Sequence, residues 1–149
     1  FDKLIKIRNC YCENVAVDTE TGSAKFLQLD GYGSGLSGIV KNYDPRHVTR
    51  ISREIKHKDH KGTSHITVKT ELLQDLLDRY QLFDIDLLSM DIEGHEFEIL
   101  KTIDWDKINI KVITVENNYK EPYIRNFLES KGYKFKTTLV CDEIYYKDN

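Results

Sequence analysis

Asp91, Glu93, His95 and Glu96 crowd three carboxylates and an imidazole into six consecutive positions. Such a group can bind a ligand through oxygen and nitrogen atoms, or pass a proton to or from one. The residues around it say how it would be held. The apolar-rich run Phe83 to Met90 leads into the acids, Gly94 interrupts them, and apolar residues resume at Phe97, Leu100 and Ile103, spaced three apart. That pattern predicts a buried strand, a tight turn and a helix. Ligands of open α/β sheets sit beyond the carboxyl ends of the strands, which is where this turn would lie. The same residues also suit a purely structural part: Asp91 or Glu93 could cap the helix, and Glu96 would favour its positive end. Gly94 serves either a turn or a close approach to a ligand.

The chain that must position this turn has 149 residues, 40% hydrophobic and 32% charged, enough for one domain with a core of its own. Its formal net charge of −3 argues against nucleic-acid binding by bulk electrostatics. No apolar run approaches the roughly 18 residues of a membrane span, and no signal peptide is visible. The expectation is a cytoplasmic protein with neither membrane nor nucleic-acid partners. The three cysteines, Cys10, Cys12 and Cys141, lack metal-site spacing and read as reduced thiols. Phe1, Leu4 and Ile5 have helical spacing, as if a helix were already under way, so the chain is expected to be part of a longer one.

Taken in order, Val15 to Val17 reads as a short buried strand and Ala24 to Leu29 as its hairpin partner, turned at Thr21 to Ser23. Residues 30–64 lose any period and are expected to be a mobile loop or lid. Within them, His57 and His60 sit among lysines, which oppose cation binding. Gly33-Ser34-Gly35-Leu36-Ser37-Gly38 matches a dinucleotide-binding pattern by letter. Asp30-Gly31-Tyr32 separates it from the strand, however, and Pro45 limits any helix begun near Gly38, so a flexible loop is the better reading. Ile66 to Val68 alternates as a strand, and Thr70 is a candidate N-cap for a helix carrying Leu72, Leu73, Leu76 and Leu77. After the central turn, Asn109 to Glu116 predicts a buried strand and Pro122 to Ser130 a helix stopped at Gly132. Lys134 to Val140 and Glu143 to Tyr146 predict a closing hairpin turned at Asp142. The fold class is α/β, with at least partly parallel pairing and a C-terminal antiparallel hairpin.

The run Ile85-Asp86-Leu87-Leu88-Ser89-Met90-Asp91-Ile92-Glu93-Gly94-His95-Glu96, followed by Ile99-Leu100-Lys101, resembles the FkbM family of S-adenosylmethionine-dependent methyltransferases. That family's signature is an apolar strand, an Asp-x-Glu-Gly-x-Glu turn and a short helix ending near Leu-Lys. Upstream, Glu13 to Val17, the hairpin around Gly22 and Ser34 to Ser37 look like its third strand, hairpin and serine-rich loop. The resemblance implies a Rossmann-like sheet of the class I methyltransferase type, mostly parallel, forming a single domain over residues 1–149. The family's first two strands, which carry the glycine-rich loop and a ribose-binding acid, do not precede Phe1. The sheet is therefore expected to be incomplete at its N-terminal side, and a longer parent chain or a second copy could complete it.

The activity the resemblance implies is methyl transfer from S-adenosylmethionine to a hydroxyl of a small molecule or glycan. The turn would lie beside the methyl group and the acceptor. His95 and Glu93 are then the candidate bases, with Asp91 orienting. Asp18, Ser34, Ser37 and Asp91 are the candidate cofactor-binding residues. Asp91, Glu116 and Asn117 could offer oxygen ligands to a magnesium-like ion, but acids at strand ends are common and no metal site is assigned. The competing expectation is a catalytically silent α/β module that binds a partner.

Overall fold

The alternation and apolar runs fold into eight strands in the computed structural model, which describes residues 1–148. β1 (Ala16–Val17), β2 (Gly22–Gly31), β3 (Gly38–Ile39) and β4 (His60–Glu71) form one sheet. β5 (Asp84–Met90), β6 (Asn109–Glu116), β7 (Lys134–Leu139) and β8 (Asp142–Tyr146) form another. The helices are α1 (Leu4–Ile7), α2 (Pro45–Glu54), α3 (Leu73–Arg79), α4 (Glu96–Lys101) and α5 (Pro122–Ser130). No helix among the described residues is long and apolar enough to cross a membrane.

The strand orders are β1-β4-β2-β3 and β5-β6-β8-β7. Only β1 with β4 and β5 with β6 run parallel; the other four pairs are antiparallel. The expected mostly parallel sheet is thus corrected to a mixed one. Parallel neighbours need a long crossover, which α4 supplies between β5 and β6, whereas β7 and β8 are joined by the two residues Val140 and Cys141. The hairpin expected around Gly22 is also absent. β4 lies between the two strands, with Thr70 opposite Ala16 on one side and Gly22 on the other. Thr70 is consequently a buried strand residue rather than a helix cap, and α3 starts only after Leu72.

Residues 30–64, read from the sequence as a loop, carry β3, two single 3-10 turns, α2 and the first half of β4. Asp44 caps α2 by accepting the Arg46 N–H at 2.7 Å, and Pro45 takes the first helical position. Two residues four apart, His47 and Ile51, face inward, and Ile51 joins Leu29 and Leu36 in a small core. The Gly33 to Gly38 stretch opens no helix: Ser34–Leu36 is one 3-10 turn and Gly38 enters β3, which supports setting the dinucleotide pattern aside. Gly38 is needed for room, because a Cβ there would lie 2.8 Å from the Tyr43 ring.

The main core is built on the second sheet. Ile110, Ile113 and Val115 of β6 and Tyr145 of β8 pack with Ile99 and Leu100 of α4 and Leu128 of α5, all fully shielded. Val17 of β1 packs against the same cluster, which brings the end of β1 to the end of β5. Among the described residues the two sheets share no ladder. β1 and β5 are both edge strands, and Leu87 on β5 is 56% exposed.

Candidate active site

β5 and β6 run in parallel with Met90 opposite Val115, so Asp91 and Glu116 emerge side by side at the carboxyl rim. The turn that follows is closed by Glu96. This buried carboxylate accepts the Ile92 N–H at 3.0 Å and the Gly94 N–H at 3.1 Å through one oxygen, so Glu96 holds the backbone rather than a ligand. Gly94 has φ +108° with nothing within 4 Å of a would-be Cβ, so glycine is there for the backbone angle alone. Glu93, a residue with a Cβ, is held at φ +63°. That conformation costs roughly 1–2 kcal/mol and aims the Glu93 side chain at α2.

There it meets His47, whose Nδ1 lies 3.5 Å from Glu93 Oε2. The other ring nitrogen of His47, Nε2, is 3.3 Å from the Leu36 carbonyl oxygen, and the ring stacks on Tyr43 with centroids 4.7 Å apart. A carbonyl oxygen only accepts, so Nε2 carries the hydrogen, and Nδ1 of the neutral ring offers a lone pair to Glu93. Tyr43 donates its hydroxyl to the same carbonyl at 2.9 Å. Burial draws His47 below its ordinary value, which favours the neutral ring. Burial, the Glu116 and Asp91 charges beside it, and a weaker opposing pull from Arg50 leave Glu93 pushed up to about 7. The Glu93 carboxyl therefore exchanges its proton near neutrality, next to a lone pair that can share it.

The carboxylates of Asp91, Glu93 and Glu116 lie within 4.8 Å of one another. Glu116 is also raised, first by burial and then by the Asp91 charge beside it. Of the three oxygen donors weighed for a cation, Asn117 is engaged elsewhere. Its Oδ1 accepts the Glu121 N–H at 2.8 Å and its Nδ2 donates to the Glu121 carbonyl at 3.0 Å, shaping the entry to α5. Nor do His57 and His60 converge: His57 stacks on Tyr32, and His60 Nε2 meets the Thr63 hydroxyl at 2.9 Å.

His95 turns the other way, toward the end of β1. Its Nε2 lies 3.4 Å from Asp18 Oδ1. Asp18 is buried and well supplied: the Thr19 N–H at 2.9 Å and the Asn42 amide at 3.3 Å donate to Oδ1, and Lys41 Nζ sits 3.0 Å from Oδ2. Burial pushes the Asp18 carboxyl up, but these partners outweigh it and hold it below the ordinary aspartate value. Burial lowers His95 more than Asp18 raises it, so the ring stays neutral at physiological pH.

A cavity of about 410 Å³ opens between these two halves, within the range of small-molecule sites. Asp91, Glu93, His95 and Ser37 all line it, together with apolar walls from Val17, Phe26 and Ile39. Asp18 lies behind His95, outside the lining. Ser34 does not reach the cavity either: its carbonyl accepts the Ser37 hydroxyl at 2.6 Å, and that hydroxyl also accepts the Leu29 N–H. Reading the sequence missed His47, Tyr43, Lys41 and Asn42. The signal that could have found them is Asn42-Tyr43-Asp44-Pro45, a cap followed by proline that marks the start of a helix.

Comparison with known proteins bears on this arrangement. The family model described as "Methyltransferase FkbM domain" matches residues 3–135. Methyltransferase sdnD of Sordaria araneosa is 33% identical over 98 residues, which cover 58% of this chain and 38% of that protein. The chain thus matches well under half the length of that curated relative. No solved structure matches the chain. The family match takes in the Asp91 to Glu96 turn, α2 with His47, and the strand ends that surround the cavity, and on it the chain belongs to the FkbM methyltransferase domain family.

Proposed function

We propose that this domain transfers a methyl group from S-adenosylmethionine to a hydroxyl of a small molecule or glycan, with Glu93 as the base. The observation that carries the reading is the Glu93 carboxyl itself: it lines the cavity, is raised to about 7, and keeps a buried Oε2 that makes no hydrogen bond and has only the 3.5 Å approach to His47 Nδ1. The donor set suits the cofactor. Val17, Phe26 and Ile39 offer an apolar wall for a flat heterocycle, and the Asp91 carboxylate offers a counter-charge for a sulfonium. When bound, S-adenosylmethionine supplies an electrophilic methyl group.

The chain's residues do the rest. Glu93 would take the proton of the acceptor hydroxyl as the acceptor oxygen gains the methyl group and the bond from that methyl to sulfur breaks, leaving a neutral thioether; a base near 7 is close to the optimum for that task at neutral pH. His47 stabilises the newly protonated carboxyl by accepting from it through Nδ1. Asp91 orients the acceptor and cofactor, and neutral His95 is the alternative base. The apolar walls limit water at the reacting atoms.

A second reading, a silent module that binds a partner, is favoured by the open edge of β5 and its exposed Leu87. Calorimetric titration of the chain with S-adenosylmethionine and its demethylated product separates the two. Micromolar binding is expected, with Glu93→Gln keeping the affinity while its release of demethylated cofactor over a panel of hydroxyl acceptors drops at least about a hundredfold. If the folded chain binds neither compound, the same titration on a longer parent chain separates an incomplete enzyme from the silent module. Full transfer by both Glu93→Gln and His95→Ala would refute the choice of base.

A further inference from the structure

α2 uses its second face as deliberately as its first. His47 and Ile51 point inward, while Arg46, Arg50 and Arg53 recur at steps of four and three along the opposite flank. With Thr49, Asn118 and Tyr119 they line a concave cavity of about 430 Å³ between α2 and the segment that follows β6. Arg46 is already compensated, since its guanidinium lies 2.8 Å from both Asp44 and Glu121 and stacks over the Tyr119 ring at 3.8 Å. Among the described residues, no carboxylate lies within ion-pair distance of Arg50 or Arg53. In a chain of net charge −3, two uncompensated guanidinium groups over one concavity are a local excess of positive charge.

The cavity adjoins the reacting site. Asn118 and Tyr119 also line the small cleft that Glu116 borders, and Arg50 is close enough to Glu93 for its charge to oppose the rise of that carboxyl. An acceptor held in this cavity would reach toward the acids at the ends of β5 and β6. Guanidinium groups present planar forks that match the paired oxygens of a carboxylate or phosphate. A long polyanion fits less well, because the rest of the chain is acidic.

We propose that the methyl acceptor carries an anionic oxygen group, a carboxylate or a phosphate, and that Arg50 and Arg53 hold it in this cavity. The proposal rests on the reading of Glu93 as the reacting base and narrows its substrate class. Arg50 and Arg53 act as specificity residues, with Asn118 and the Tyr119 ring as the walls that keep the group in place.

The test uses three probes that share a sugar ring: glucose 6-phosphate, glucuronate and methyl glucoside. Binding is followed by the arginine side-chain N–H signals in NMR and by calorimetry, without S-adenosylmethionine or turnover. The two anionic probes should shift the Arg50 and Arg53 signals and bind about tenfold or more tightly than methyl glucoside. The tighter of the two identifies the group as phosphate or carboxylate. Arg50→Gln/Arg53→Gln should abolish the preference, while Arg50→Lys/Arg53→Lys should retain part of it through charge alone. Equal binding of all three probes, or a preference that survives the double glutamine variant, would overturn the proposal. Because no methyl transfer is measured, loss of catalysis leaves this result standing. Conversely, a chain that fails here yet methylates a neutral acceptor would keep Glu93 as base and lose only the anionic acceptor.

Discussion

Replacing Glu93 with Gln should make the protein more stable at pH 8 while disabling it. In the fold the Glu93 carboxyl is raised to about 7, mainly by burial and then by Glu116 and Asp91, from an ordinary 4.5. Below pH 4.5 both folded and unfolded chains hold this proton, and the group makes no pH-dependent contribution. Between pH 4.5 and 7 the unfolded chain releases the proton while the folded chain keeps it, so wild-type stability falls as pH rises. Above 7 the fall is complete and amounts to roughly 3 kcal/mol. Gln has nothing to release and can donate its amide to the lone pair of His47, so the variant escapes this fall. The gap between variant and wild type should therefore grow from near zero at pH 4.5 to about 3 kcal/mol at pH 8, or roughly 6–12 °C in Tm. The groups facing Glu93 are Asp91 and Glu96 from its own turn, Glu116 from β6, and Arg50 and His47 from α2. They remain in both proteins, so the difference between the two isolates Glu93. Urea unfolding from pH 4.5 to 8.5 measures it. A gap that stays flat across that range, or a variant less stable than wild type at pH 8, would refute the picture of a buried, proton-holding carboxyl.

Two further outcomes follow from the backbone. Glu96→Ala removes the one acceptor shared by the Ile92 and Gly94 N–H groups in a buried turn, and should lower stability by about 2–4 kcal/mol in urea unfolding. An unchanged midpoint would show that the turn closes without it. Gly31→Ala places a Cβ 2.4 Å from the Asp59 carbonyl oxygen at φ +74°, where the β2–β4 register shifts, and should cost at least about 2 kcal/mol in thermal unfolding. Wild-type stability in that variant would mean that the chain does not make this close approach.

Much of the second half was legible because its signals are local. The alternation of Asn109 to Glu116, the proline opening α5 and the acid-glycine turn after Met90 each depend on residues a few positions apart, and each element stands where its pattern put it. α2 escaped notice because its inward face amounts to His47 and Ile51, too few apolar residues to make a stripe. The supposed hairpin at Gly22 failed for a related reason: turn residues show that a chain reverses, and not which strand it then pairs with.

The sequence by itself determined that a rim of carboxylates ends a strand, and that Asp91, Glu93 and His95 belong to one turn; that this strand would be a largely exposed edge rather than buried was not written there. Only the tertiary structure decided their roles. It raised the Glu93 carboxyl to about 7 through burial, Glu116 and Asp91, set it against His47, turned His95 toward Asp18, and withdrew Glu96 and Asn117 into holding the backbone. The physical reason is range. Helix and strand periods are written within a few residues, whereas desolvation and charge proximity depend on which distant segments arrive at the same place.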